Sequence, residues 1–239
     1  MGLRRDQGIV LRGYPFGEAD RVVVFLSPNH GMVRAVAKGV RKTKSRFGGR
    51  LEPFNQVDLV LYEGRNLDTV TQVTPIDVFP HLRQDLDKVT VAGTMTEAAG
   101  LVVQEGESSV RLYLLLQRGL YTLDREPLHP DLLTSFLLKL AGVVGVAPAL
   151  DLCVSCGQAE PLSSFSFGAG GAVCSRCQVE GAFLVRAGTM EYLGQLAAAD
   201  FGDLPDTHED LSASAQGTAR RFVEFHIERS LRTLVLLDV

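Results

Sequence analysis

Met32-Val33-Arg34-Ala35-Val36-Ala37-Lys38 alternates small or apolar residues with longer and charged ones, and the period-two pattern reads as a β-strand over Met32 to Val40. On such a strand Val33, Ala35 and Ala37 point to one face, the core, while Arg34, Val36 and Lys38 point to the other. Ser27-Pro28-Asn29-His30-Gly31 precedes it with turn chemistry, and a β-branched run from Arg21 to Ser27 lies before that turn. Pro15-Phe16-Gly17-Glu18-Ala19-Asp20 forms another turn, preceded by a strand from Gly8 to Tyr14. Downstream, Gln56 to Tyr62 and Asp68 to Val78 flank Glu63-Gly64-Arg65-Asn66. Five short strands in roughly 75 residues fit a small closed barrel or a sandwich. A five-stranded oligonucleotide-binding (OB) barrel and an SH3-like barrel both satisfy the strand count.

Beyond Pro80 the period lengthens. Asp85 to Gln104, Ser108 to Leu123 and Pro130 to Val144 place apolar residues three and four apart, and Leu112, Leu115, Leu116, Gly119, Leu120 and Leu123 share one helical face. Thr90 or a polar neighbour is the expected cap of the first helix, and Pro130-Asp131 the start of the third. Helical pattern resumes over Ala187 to Ala199 and Ser212 to Leu237, the latter with Phe222, Phe225, Arg229 and Arg232 at helical spacing. The expected organisation is multidomain α+β. A five-stranded β domain spans 1–80, a helical domain spans 81–150 and 182–239, and a cysteine module at 151–181 is inserted into it.

Composition agrees with a folded chain: of 239 residues, 46% are hydrophobic and 22% charged. The N-terminus lacks a signal-like apolar stretch, and Leu132 to Val146 is too short to span a bilayer, so a cytoplasmic protein without membrane partners is expected. The net charge of −4 hides an asymmetry: residues 1–80 hold 12 Lys+Arg against 8 Asp+Glu, and the remainder 12 against 20. A net of +4 followed by −8 assigns any polyanion to the N-terminal part.

Cys153-Val154-Ser155-Cys156 and Cys174-Ser175-Arg176-Cys177 are two C-x2-C knuckles separated by 17 residues. That spacing suits one tetrahedral zinc ion, with a hairpin carrying Phe165 and Val173 returning the second knuckle to the first. Two disulfides fit poorly in a chain without a secretion signal, and two facing redox pairs are rare. An iron–sulfur cluster uses the same ligands. Four cysteinates leave a zinc ion no open position for an activated water, so the site is expected to be structural.

The densest charge feature runs from Arg34 to Arg50. Arg34, Lys38, Arg41, Lys42, Lys44, Arg46 and Arg50 occur with no acidic residue between Asn29 and Leu51. Such a strip neutralises phosphates with little regard to base sequence, and Phe47 offers a ring for base stacking. A solvated basic loop without a partner is the plainer reading. An anionic membrane surface would want an amphipathic helix, which does not accompany the cations.

No phosphate-binding G-x-x-x-x-G-K-[ST] loop, zinc-deaminase H-x-E or hydrolase motif is present. His30, His81, His129, His208 and His226 are scattered, so no enzyme is expected, with a metal-dependent nuclease as the weaker catalytic alternative and a zinc-stabilised protein adaptor as the other rival. Gly8-Ile9-Val10-Leu11, Gly17-Glu18-Ala19-Asp20, Ala37-Lys38-Gly39-Val40-Arg41, Leu51-Glu52-Pro53-Phe54 and the later cysteine knuckles occur in an order that resembles the bacterial RecO family of recombination and DNA-repair proteins. The resemblance covers essentially the whole chain. It implies an OB barrel, a helical domain and a zinc module. It further implies binding of single- and double-stranded DNA, annealing of complementary strands, no small-molecule substrate, and nucleoid association when on DNA. RecR and single-stranded-DNA-binding protein are the implied partners in loading RecA.

Overall fold

The computed structural model describes residues 2–159 and 161–233. Five strands, β1 (Leu3–Phe16), β2 (Asp20–Ser27), β3 (Gly31–Ala37), β4 (Gln56–Tyr62) and β5 (Asp68–Asp77), close into a barrel in the order β1-β2-β3-β5-β4. Closure is made by β4 on β1, from Leu3↔Tyr62 to Ile9↔Gln56. All pairings are antiparallel except β3 with β5, which are parallel through Ala35↔Asp68 and Val36↔Thr69. This order makes the barrel OB-type and removes the SH3-like alternative. The inward set predicted on β3 is buried, with Val33, Ala35 and Ala37 packed against Val10, Val23, Phe25, Leu59 and Leu61. Fully burying each of the larger side chains stabilises by about 1.5–3 kcal/mol.

Two barrel strands differ from expectation by more than one residue. β1 extends beyond Gly8–Tyr14 at both ends, because its first half pairs with β4 and its second half, past an irregularity between Val10 and Arg12, pairs with β2. β3 stops at Ala37, where Lys38 to Val40 turn away and Gly39 adopts φ +69°.

The chain divides into two compact units, 1–125 and 126–239. The first contains the barrel, α1 (Leu86–Val102) and α2 (Val110–Arg125). Asp85, rather than Thr90, caps α1: its carboxylate accepts from the N–H groups of Asp87 and Lys88, while Thr90 Oγ1 donates to Leu86 O inside the first turn. The predicted face of α2 is buried in full. The connection between these helices straps the β2–β3 turn, with Met32 N–H donating to Gln104 O at 2.9 Å and Gly106 N–H to His30 O at 3.0 Å. Gly31 makes this approach possible: it sits at φ +63°, and a Cβ there would lie 2.2 Å from Gln104 O.

The second unit holds α3 (Leu132–Val143), a small sheet of β6 (Leu162–Ser166), β7 (Gly171–Cys174) and β8 (Phe183–Leu184), and helices α4 (Thr189–Ala198) and α5 (Glu209–Ile227). The sequence pattern carries the last helix to Leu237, but α5 stops at Ile227. Glu228 turns left-handed there at φ +53° and Glu224 Oε1 accepts from the Leu231 N–H, so Arg229 and Arg232 leave the helical spacing. Residues 234–237 of that expected helix lie outside the described residues. No described helix is long and apolar enough to cross a membrane.

Candidate nucleic-acid interface and metal centre

The two knuckles are brought together by short-range backbone bonds. Gly157 N–H donates to Cys153 O at 2.8 Å, and Cys177 N–H to Cys174 O at 3.3 Å, so each C-x2-C forms a tight turn. Val154 N–H donates to Ala172 O at 2.9 Å, which fastens the first knuckle to the hairpin strand that ends in Cys174. Cys153 and Cys174 are buried, with Val173, Leu162, Val154 and Val179 around them, and Cys156 faces solvent. Phe165 and Val173 are both buried, as the hairpin reading required.

All four cysteines are free thiols, and their Sγ atoms lie within 4.8 Å of one another. A tetrahedral ion with metal–sulfur bonds of about 2.3 Å sets sulfur–sulfur edges near 3.8 Å. Cys156 Sγ and Cys174 Sγ are 3.8 Å apart, so the donor set fits. The electrostatics point the same way. The Cys174 backbone N–H, foremost among several amides, lowers the Cys153 thiol to about 6. Cys177 has a lowering hydrogen bond from Ser155, yet the neighbouring thiols Cys156 and Cys174 push it up to about 12. Four thiolates in so small a volume repel one another, and a divalent cation at their centre reverses that penalty.

The basic segment is a loop pinned to the barrel at several points. Phe47 and Leu51 are buried in the barrel core at 2% and 1% exposure. Phe47 therefore is not the stacking ring that its sequence neighbours implied: it is an anchor, with the Arg46 guanidinium 4.8 Å from its ring centre on the outside. Asn55 Nδ2 donates to Gly49 O and Arg50 O, and Arg50 Nη1 to Arg46 O, fixing the end of the loop. At its start, Gly39 N–H donates to Asp20 Oδ1 at 2.7 Å and Arg41 N–H to Ala19 O at 3.0 Å, tying the cations to the tip of the β1–β2 hairpin.

The seven predicted cations are not equivalent. Arg34 is exposed on β3 and pairs with Glu105, which offsets its charge. Lys38, Arg41, Lys42, Lys44, Arg46 and Arg50 are exposed, and among the described residues none of these six has a carboxylate partner. Sequence reasoning missed Arg12, Tyr14 and Phe16, which are exposed on the second half of β1 beside this loop. Their period-two spacing is present in the sequence, but the turn chemistry of Pro15-Phe16-Gly17 masks it.

Barrel and thiol cluster together define an OB-barrel protein with a four-cysteine metal-type centre in its second unit. Family models place that class more closely: Recombination protein O N terminal matches residues 1–79, and Recombination protein O C terminal matches residues 83–234. The chain is 42% identical over 241 aligned positions to DNA repair protein RecO of Frankia casuarinae, covering 100% of this chain and 99% of the relative. It is likewise 42% identical to DNA repair protein RecO of Cutibacterium acnes, covering 98% of each chain. Against DNA repair protein RecO of Thermobifida fusca it is 39% identical, covering 100% of this chain and 99% of the relative. The chain belongs to the RecO family of DNA repair and recombination proteins.

Proposed function

We propose that this chain is a DNA-binding mediator of recombination and repair. It holds single- and double-stranded DNA on the basic face of its barrel, anneals complementary strands and, with RecR, helps load RecA onto DNA coated with single-stranded-DNA-binding protein. The supporting observation is the group of six exposed cations, Lys38 to Arg50, that have no carboxylate partner among the described residues and lie on an OB-type barrel. In this reading residues 1–80 bind DNA, 151–181 form the zinc module, and 81–150 with 182–239 supply the helical frame.

The mechanism needs no bond cleavage. Two strands repel through their phosphates, and cations that displace condensed counterions lower that repulsion while leaving base edges free to pair. Zinc, when bound by Cys153, Cys156, Cys174 and Cys177, supplies folding energy to a module with a small apolar core and carries out no reaction step.

Binding of fluorescent single- and double-stranded DNA across a salt series tests the interface. Reversing Lys38, Arg41, Lys42 and Lys44 to Glu should weaken both complexes by tenfold or more at low salt. It should also flatten the log–log salt slope by about 0.7–0.9 for each phosphate that is no longer neutralised. Affinity unchanged by these reversals would remove the assigned surface. A wild-type chain with no DNA affinity at low salt would instead favour the protein adaptor.

A further inference from the structure

We propose that Tyr14 and Phe16 form a base-stacking subsite on the outer face of the β1–β2–β3 sheet, giving the barrel a grip on the exposed bases of single-stranded DNA. This rests on the DNA-binding reading and adds to it a preference for one strand type.

The placement follows from register. After the irregularity between Val10 and Arg12, β1 pairs with β2 through Arg12↔Val24, Tyr14↔Val22 and Phe16↔Asp20. Directly opposed residues share a face of the sheet. Val23 and Phe25 belong to the barrel core, so Val22 and Val24 lie on the outer face, and Arg12, Tyr14 and Phe16 lie there with them. The third strand continues the rows, Arg34 opposite Val24 and Val36 opposite Val22. One row is Arg12–Val24–Arg34, and the next is Tyr14–Val22–Val36. The third begins Phe16–Asp20, and the Lys38 turn follows Ala37, the partner of Arg21.

The exposure pattern along these rows is uneven. Val22 and Val24 are each 1% exposed and Val36 8%, a covered apolar floor, whereas Tyr14 is 42% and Phe16 49% exposed. Alternate residues of a strand are about 6.7 Å apart, twice the rise of about 3.4 Å between stacked bases, so the step from Tyr14 to Phe16 matches the insertion of one base between two rings. Cations flank the pair on two sides: Arg12 precedes it on β1, and the loop bearing Arg41 reaches the hairpin tip, where Arg41 Nη1 donates to Gly17 O at 3.4 Å, while Arg34, across the sheet, is paired with Glu105. Of the carboxylates nearby, that of Asp20 accepts from the Gly39 N–H and that of Glu52 pairs with Arg21. Glu18 is exposed at the tip. Rings flanked by cations suit an unpaired strand, whose bases have free faces, and offer nothing to an intact duplex, whose bases are already stacked.

The test compares Tyr14→Ala/Phe16→Ala with the wild-type chain on a fluorescent oligothymidylate and on a duplex of equal length. Affinity for the single strand should fall by tenfold or more and duplex affinity should stay within about twofold. The salt slope for both should be unchanged, because every phosphate-binding cation is retained. Tyr14→Leu/Phe16→Leu, which keeps apolar cover over the sheet, should show the same loss and guards against a folding defect. The chain contains no Trp, so Phe16→Trp installs a single indole fluorophore. Its emission should be quenched by the oligothymidylate and not by an abasic strand of the same length. Equal losses on single strand and duplex, or no loss on either while the wild type binds, overturn the stacking subsite alone. A wild-type chain that binds neither DNA overturns the subsite and the DNA-binding reading together.

Discussion

Asp131 is fully buried at the start of α3, and it accepts from Tyr192 Oη at 2.8 Å and from Ser212 Oγ at 2.6 Å. One carboxylate thus joins α3 to α4 and α5, and both oxygens are answered inside the protein. Burial first, then the hydrogen bond to Asp131 and its charge, push the Tyr192 hydroxyl up to about 12 from an ordinary value of 10. A hydroxyl raised on folding stabilises fully below pH 10 and loses that contribution as pH climbs through about 12. Tyr192→Phe should therefore destabilise by about 1–3 kcal/mol at pH 7, since it strands one acceptor. It should also flatten the alkaline decline between pH 10 and 12, which urea denaturation at several pH values would reveal. Pro130-Asp131 was legible in sequence only as a helix start. Its partners lie 61 and 81 residues away, and no local pattern announces a bond of that range.

Among the elements, the loop from Lys38 to Leu51 carries the sharpest difference between its sequence and its structure. A phenylalanine among arginines and lysines reads as a ring for a base, yet Phe47 points inward and holds the loop to the barrel. Phe47→Ala should cost about 3–5 kcal/mol of stability, the range for deleting a large buried aromatic. A surface stacking ring would instead cost DNA affinity at unchanged melting temperature, so calorimetry beside a binding assay separates the two roles. Strands were the most legible elements, because period-two alternation with buried Val and Leu specifies both the strand and its inner face. The limits of β1 were not legible, since one strand pairs with two neighbours across an irregularity and its outer residues face solvent. The stop of α5 was hidden for a similar reason: it depends on the backbone of Glu228 and on the bond that the Leu231 N–H donates to the Glu224 carboxylate, while the helical spacing continues in sequence beyond them.

At the scale of the whole molecule, the thiol cluster lies in unit 126–239 and the basic loop in unit 1–125. Stripping metal with a strong chelator, or Cys153→Ala, should loosen the second unit and leave the barrel strands folded. Hydrogen exchange read by mass spectrometry should show faster exchange over 151–184, with β1 to β5 unchanged. The four-thiol centre was fully legible, because ligand spacing in a C-x2-C knuckle is set by a tight turn that the sequence itself encodes. The strand order of the barrel was legible only through the family resemblance and not from the strand pattern, because closure is a matter of which strand meets which. That closure has a further consequence. Four of the five seams are long antiparallel ladders, and the fifth, β3 against β5, is a clasp of two residue pairs. Undoing the clasp turns a cylinder into an open sheet with two raw edges at the cost of few hydrogen bonds. Such edges are templates for strand exchange between copies. Crowding of the protein on itself is thus the condition under which this barrel is most exposed to joining a neighbour instead of closing.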